Sequence, residues 1–185
     1  MAYKHSKEFH ETFGHPVNQE ITDKALKLRY RLISEELFET RLAVADNDIV
    51  EFVDGLADLD YVINGTMVAF GLPEYNGYPD KKEPVFSHAW KSDFHATADY
   101  DLEDCLSLLN AFIFEGCSYL ADRNFNSAFD SFVNSLNLLN RLASTIGVSL
   151  TEAVEVVHKS NMTKLGEDGK PLYDEGGKTI KGPNY

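Results

Sequence analysis

Acidic side chains at helical spacing are the feature of this chain most able to do chemistry. Residues 34–39 have the sequence Ser-Glu-Glu-Leu-Phe-Glu, and residues 51–58 have Glu-Phe-Val-Asp-Gly-Leu-Ala-Asp. Because residues three or four apart share one face of a helix, each segment predicts an acidic helix face. The acids of the two faces are Glu35, Glu36 and Glu39, followed by Glu51, Asp54 and Asp58.

Both segments also contain Leu, Val, Ile and Phe, so the acids border an apolar core. Concentrated negative charge is unfavourable there unless a cation neutralises it. Oxygen ligands suit Mg²⁺ or Mn²⁺, which in turn hold phosphates. A solvated helix face is the alternative for either segment alone. Two acidic faces on neighbouring helices favour the metal site and predict nucleotide chemistry.

The elements that must position these acids are predicted to be helices throughout. Thr22 or Asp23 caps a helix to Ala45, and Asp48 with Glu51 caps the next one, which stops at 71–73. Glu51 therefore also has a structural explanation. Two long helices joined by so short a turn pack antiparallel. The other predicted helices span 4–12, 102–120, 125–146 and a short one from Ser149 to Val157 or His158.

Composition fits one all-α domain over 1–185, an antiparallel helical bundle with a longer middle segment at 75–142 and a Gly/Lys-rich C-terminal arm. The net charge of −13 argues against nucleic acid as a partner. No apolar run is long enough to cross a membrane, and the two cysteines suit a reduced compartment. We therefore expect a cytoplasmic protein without a membrane partner.

Other chemical motifs are weak or absent. The chain has no Gly-x-x-x-x-Gly-Lys loop, no Gly-x-Gly-x-x-Gly and no Gly-x-Ser-x-Gly. None of the six histidines has zinc-site spacing with cysteine partners, so a histidine metal site is not expected. The segment 158–164, His-Lys-Ser-Asn-Met-Thr-Lys, could contact phosphate or base edges. An ordinary helix C-terminus with lysines that complement the dipole explains it equally well.

Several blocks together resemble a known family. They are FHETFGHPV, SEELFETRLA, DGLADLDYVINGT, VVHKSNMTK, DGKPLY and GKTIKGPNY. The chain resembles the all-α nucleoside triphosphate pyrophosphohydrolases of the MazG superfamily, and is most similar to their phosphoribosyl-ATP pyrophosphohydrolase-like branch. The resemblance covers the N-terminal 70 residues and the C-terminal 35 or so.

The resemblance implies hydrolysis of a nucleoside triphosphate to the monophosphate and pyrophosphate, with two or three Mg²⁺ or Mn²⁺ ions on the carboxylates. Glu35, Glu36 and Glu39 match the family's EExxE ligands, and Asp58 matches the aspartate that precedes the family's Leu-x-Tyr-Val stretch. Many members carry another acid where this chain has Gly55, so either Asp54 or Glu51 completes the site. Glu35, or another uncoordinated acid, is the expected general base. The C-terminal block implies nucleotide contacts by Lys159, Asn161, Lys164, Lys178, Lys181 and Tyr185.

The resemblance also implies assembly, because members of the superfamily form dimers or tetramers. Longer members are common in phages, and some of them act on deoxyguanosine triphosphate. By that analogy dGTP or GTP is a candidate substrate, and the host cytoplasm is the location if the chain is phage-encoded. The competing hypothesis is a catalytically idle bundle that binds nucleotides or a protein partner, which the glycine at position 55 favours.

Overall fold

Helices account for nearly all of the regular structure in the computed structural model. The structure describes residues 2–75, 102–166 and 169–172. Within those residues there are six helices, which we number α1 to α6 in chain order. They are α1 (Ala2–Phe13), α2 (Asp23–Ala45), α3 (Ile49–Ala69), α4 (Leu102–Ala121), α5 (Phe125–Thr145) and α6 (Leu150–Met162).

Side-chain caps begin four of these helices. The Thr22 hydroxyl accepts from the backbone of α2, and Asp48 accepts from the N–H groups of Val50 and Glu51 at the start of α3. Ser149 caps α6 in the same way. Each cap satisfies a backbone donor that has no partner inside its helix. The predicted starts of these three helices are therefore confirmed.

The end of α6 differs from the sequence-based prediction. The helix continues past His158 to Met162, about one turn beyond the predicted end. His158 is buried and its ring contacts the Tyr61 hydroxyl, so packing against α3 carries the helix onward. Beyond α6 an isolated antiparallel bridge joins Leu165 to Pro171. The predicted arm beyond residue 172 lies outside the described residues.

One apolar core joins the N-terminal helices to the middle of the chain. Ile33, Leu56 and Ile63 of α2 and α3 belong to the same buried cluster as Leu109 of α4 and Phe132 of α5. Helices α2 and α3 form the predicted hairpin. Helix α4 packs against α2, and helix α5 packs against α3. The expected all-α bundle is confirmed. None of the described helices has the length and apolar character that crossing a bilayer requires.

Candidate active site

Glu36 lies at the centre of the acidic region. Its side chain is half-buried on α2, and burial, followed by the charges of neighbouring carboxylates, raises its pKa to about 8. The neighbours, in order of effect, are Asp58, Glu39, Glu35 and Asp54. Burial and like charge both disfavour the ionised carboxylate. No positively charged group is among the causes that shift the pKa of Glu36.

The acids from the two helices converge as their spacing predicted, with one exception. The charges of Asp54 and Asp58 on α3 raise the pKa of Glu36 on α2. Glu51 is exposed in the first turn of α3 and is not among the groups that shift this pKa. The backbone N–H of Glu51 donates to the capping Asp48 carboxylate at 3.1 Å. Of the two alternatives for the last acid, this geometry favours Asp54.

Gly55 has a steric explanation in the packing of α2 against α3. A Cβ atom at this position would lie 2.5 Å from Thr40 Oγ1 and 3.1 Å from Thr40 Cα. Thr40 is itself fixed, because its hydroxyl donates to the Glu36 carbonyl oxygen at 2.7 Å. The helices approach too closely for a side chain at 55. The acid that the family resemblance leads us to expect at this position therefore has no room between α2 and α3.

The carboxylates surround Glu36 without closing tightly on one point. Within the described part of the chain, no three of them bring ligand oxygens within 4.8 Å of one another. Glu35 and Glu39 are exposed, and Arg31 Nε lies 3.9 Å from Glu35 Oε1. Like charges at this density separate unless a cation draws them together. The donor set, all carboxylate oxygen and partly desolvated, fits Mg²⁺ or Mn²⁺.

The C-terminal block reaches the same helix through Tyr61. Asn161 hydrogen-bonds the Tyr61 hydroxyl, and Lys164 Nζ donates to Asn161 Oδ1 at 2.6 Å. Burial, followed by the charges of Glu8 and Asp58, raises the pKa of Tyr61. Asn161 and Lys164 are therefore linked to α3 one turn beyond Asp58.

The remaining predicted nucleotide contacts are less well placed or lie elsewhere. Lys159 is exposed on α6, and its Nζ lies 2.8 Å from Glu155 Oε1, so the structure does not bring it to the acids. Lys178, Lys181 and Tyr185 lie outside the described residues. For Lys159 the interpretation as an ordinary helix-terminal lysine is sufficient.

Sequence reasoning missed the polar group formed by α1, Tyr61 and α6. Tyr61 is three residues after Asp58, and this spacing on α3 was a usable signal. His5 and Glu8 gave no signal, because their partner His158 lies 150 or more residues away along the chain. Spacing alone cannot reveal contacts of this kind.

Comparisons with known proteins include a family match over the N-terminal part of the chain, which carries the acids. Residues 6–77, most of α1 and all of α2 and α3, match the model of the phosphoribosyl-ATP pyrophosphohydrolase family. The chain is also similar to uncharacterized protein L479 of Acanthamoeba polyphaga mimivirus, with 29% identity over 188 residues, 88% of this chain and 70% of the relative. No solved structure matches the chain.

The family match and the geometry agree on the same helices. All six predicted acidic ligands, Gly55 and Tyr61 lie inside the matched segment. The match supports pyrophosphohydrolase chemistry on nucleotides in general. Residues 6–77 thus match the phosphoribosyl-ATP pyrophosphohydrolase family model, in agreement with the all-α nucleoside triphosphate pyrophosphohydrolase superfamily that the sequence resembles.

Proposed function

We propose that this protein hydrolyses a nucleoside triphosphate between its α- and β-phosphates, with Mg²⁺ or Mn²⁺ as the essential cofactor. The observation that carries the proposal is the half-buried position of Glu36 among four carboxylates from α2 and α3, an arrangement that raises its pKa to about 8. An arrangement so unfavourable by itself fits a site built to hold cations. Glu36, Glu39 and Asp58 are the proposed ligands, with Asp54 completing the set.

The ion, when bound, would acidify a water molecule and neutralise charge on the phosphates. Glu36 and Asp58 contribute from two different helices, so their relative position depends on the close packing at Gly55. Glu35 is exposed at the edge of the group, where it is suited to accept a proton from water. Lys164, oriented by Asn161, supplies positive charge beside the same face of α3.

The proposed substrate is defined here by its chemical class, a nucleotide that carries a phosphate chain. A phosphate-bearing nucleotide fits the acidic metal site and the Asn161–Lys164 pair. Phage analogy makes dGTP or GTP the first candidates, and the matched family adds phosphoribosyl-ATP. The exposed apolar residues of α2 and α3 support a homo-oligomer, a dimer or tetramer, as the working form.

The test is a panel of ribo- and deoxyribonucleoside triphosphates and phosphoribosyl-ATP, assayed with Mg²⁺, with Mn²⁺ and with a chelator. Chromatography should resolve monophosphate and pyrophosphate as the products, and both metals should be required. In water enriched in heavy oxygen, the label should enter the monophosphate if attack is at the α-phosphorus. Label in pyrophosphate would instead indicate attack at the β-phosphorus, and a nucleoside diphosphate product would contradict cleavage between the α- and β-phosphates.

Matched variants test the site. Glu36→Gln and Asp58→Asn keep shape but remove charge, and each should lower turnover at least about 10²-fold, the scale of losing one electrostatic contributor. Glu20→Gln, an exposed glutamate far from the acids along the chain, is the control and should keep full activity. If calorimetry shows nucleotide binding while no nucleotide is turned over, the idle binding bundle replaces this proposal.

A further inference from the structure

A second group of potential metal ligands lies between α1 and α6. His5 and Glu8 are three residues apart on one face of α1, and His158 faces them from α6. Their ligand atoms all lie within 4.8 Å of one another. His158 Nε2 is 3.5 Å from Glu8 Oε2, and the two imidazole rings stack with centroids 4.1 Å apart. This group contains none of the acids assigned above to Mg²⁺ or Mn²⁺.

The Tyr61 hydroxyl contacts His158 at Nδ1, the ring nitrogen other than the one nearest Glu8. The hydroxyl lies 3.3 Å from the His5 carbonyl oxygen, to which it can donate its one hydrogen, and 3.0 Å from His158 Nδ1. With its hydrogen on the His5 carbonyl, the hydroxyl accepts from the neutral His158 tautomer that carries its proton on Nδ1. The lone pair is then on Nε2, the atom that faces Glu8. Metal-binding histidines are commonly oriented by such a second hydrogen bond.

His5 presents a nitrogen that the described structure leaves without a partner. His5 Nε2 is buried and makes no hydrogen bond there. An unsatisfied buried polar atom costs roughly 1–3 kcal/mol and is uncommon in a native fold. A ligand at this point would satisfy it. Glu8 is exposed, so the group is open to solvent on one side.

We propose that His5, Glu8 and His158 bind a divalent ion of the zinc type, which links α1 to α6. Two imidazole nitrogens and one carboxylate suit Zn²⁺ and its neighbours Co²⁺ and Ni²⁺, whereas Mg²⁺ prefers oxygen ligands. Bonds of about 2.1 Å at tetrahedral angles place ligands about 3.4 Å apart, close to the 3.5 Å between Glu8 and His158. Solvent or a substrate group would complete the coordination on the open side.

The site has a structural consequence for the fold. The end of α6 carries Asn161, which bonds Tyr61, so an ion between α1 and α6 would fix the helix that presents the proposed nucleotide contacts. A metal that binds only the folded chain also stabilises it by mass action. The competing explanation of the same geometry is an ion pair between protonated His158 and Glu8 with no metal.

The test is zinc binding by the full chain after chelator treatment, measured by calorimetry and by mass spectrometry under native conditions. We expect one tightly bound Zn²⁺ per chain, and a rise in Tm on adding Zn²⁺. His5→Ala and Glu8→Gln should each weaken zinc binding at least about 10-fold and lose the rise in Tm. Bound Co²⁺ should show a visible absorption that His5→Ala removes.

Two controls separate this site from others. Glu11→Gln alters an exposed glutamate on the same helix that lies outside the group, and it should bind zinc as the unmodified protein does. Glu36→Gln should also keep the tight zinc site. A failure of the zinc proposal can therefore be distinguished from a failure of the proposed catalytic site. Zinc binding that is absent, or equal in all variants, would overturn the proposal. An ion pair alone would appear as a lower Tm in Glu8→Gln with no response to zinc in any form.

Discussion

Glu36 illustrates how one residue can be unfavourable for folding and useful for binding. Its pKa is raised from 4.5 to about 8 in the fold, first by burial and then by Asp58 and the other acids. A carboxyl group whose pKa is higher in the folded than in the unfolded state contributes to stability. That contribution is fully present only at pH values below the unfolded pKa. That contribution is lost as the pH rises from about 4.5 to about 8. Metal-free protein should therefore lose stability across this range.

The substitution Glu36→Gln should remove the loss of stability that ionisation of Glu36 causes in metal-free protein. In chelator at pH 8.5 or so, we expect the variant to have a Tm higher by at least about 3 °C, the shift that roughly 1 kcal/mol gives in a chain of this size. Near pH 4 the two proteins should be alike. Mg²⁺ at the higher pH should reverse the order, because only the unmodified protein gains a ligand for the ion. Thermal unfolding with and without Mg²⁺ measures both effects, and an unchanged order would contradict them.

Tyr61 connects three groups through one buried hydroxyl. It contacts the His5 carbonyl oxygen, His158 Nδ1 and the Asn161 side chain. Tyr61→Phe keeps the ring but leaves these buried groups without their shared partner. We expect a loss of about 1–3 kcal/mol in the free energy of unfolding, measured by chemical denaturation. Tyr119→Phe, which removes a more exposed hydroxyl on α4, is the control and should change stability little.

At the scale of the helices, Gly55 governs how closely α2 and α3 approach. Gly55→Ala gains about 1 kcal/mol of helix propensity, but its Cβ would be too close to Thr40 Oγ1 and to Thr40 Cα. Backbone atoms cannot yield as a flexible side chain does, and overpacking costs typically about 1–3 kcal/mol. We expect a net loss in the free energy of unfolding of about 1 kcal/mol.

The measurement is denaturant unfolding of Gly55→Ala and of the double variant Thr40→Ala with Gly55→Ala. Removing Thr40 Oγ1 relieves the shortest of the contacts, so the double variant should recover part of the loss, which a double-mutant cycle quantifies. A Gly55→Ala protein more stable than the unmodified chain would show that propensity alone decides at this position.

The same helices show what could be predicted from sequence. The caps at Thr22, Asp48 and Ser149 and the hairpin of α2 and α3 follow from local chemistry, and the structure agrees with them. The extra turn of α6 was not predictable, because it depends on His158 packing against Tyr61, 97 residues away. The same distance in sequence conceals the group of His5, Glu8 and His158. Local patterns thus predicted the acidic faces but not the contacts between distant helices.

At the scale of the whole molecule, exposed apolar side chains cluster near the acidic hairpin. Phe38 is 61% exposed on α2, Leu42 follows one turn later, and Ile49 and Val50 are exposed at the start of α3. Phe38 and Leu42 share a helix face, and the turn after α2 brings Ile49 and Val50 to the same end of the hairpin. A surface of this kind on a chain with a net charge of −13 favours association through apolar contact rather than through charge.

Phe38→Ser tests whether this surface assembles the protein. In a symmetric dimer each substitution acts twice, and a buried Phe contributes about 1.5–3 kcal/mol. We therefore expect association to weaken at least about 10²-fold, seen by sedimentation velocity over a range of concentrations. Val156→Ser removes an equally exposed apolar residue from α6 and should leave association unchanged. A protein that sediments as a monomer without substitution would show that the hairpin surface serves another purpose.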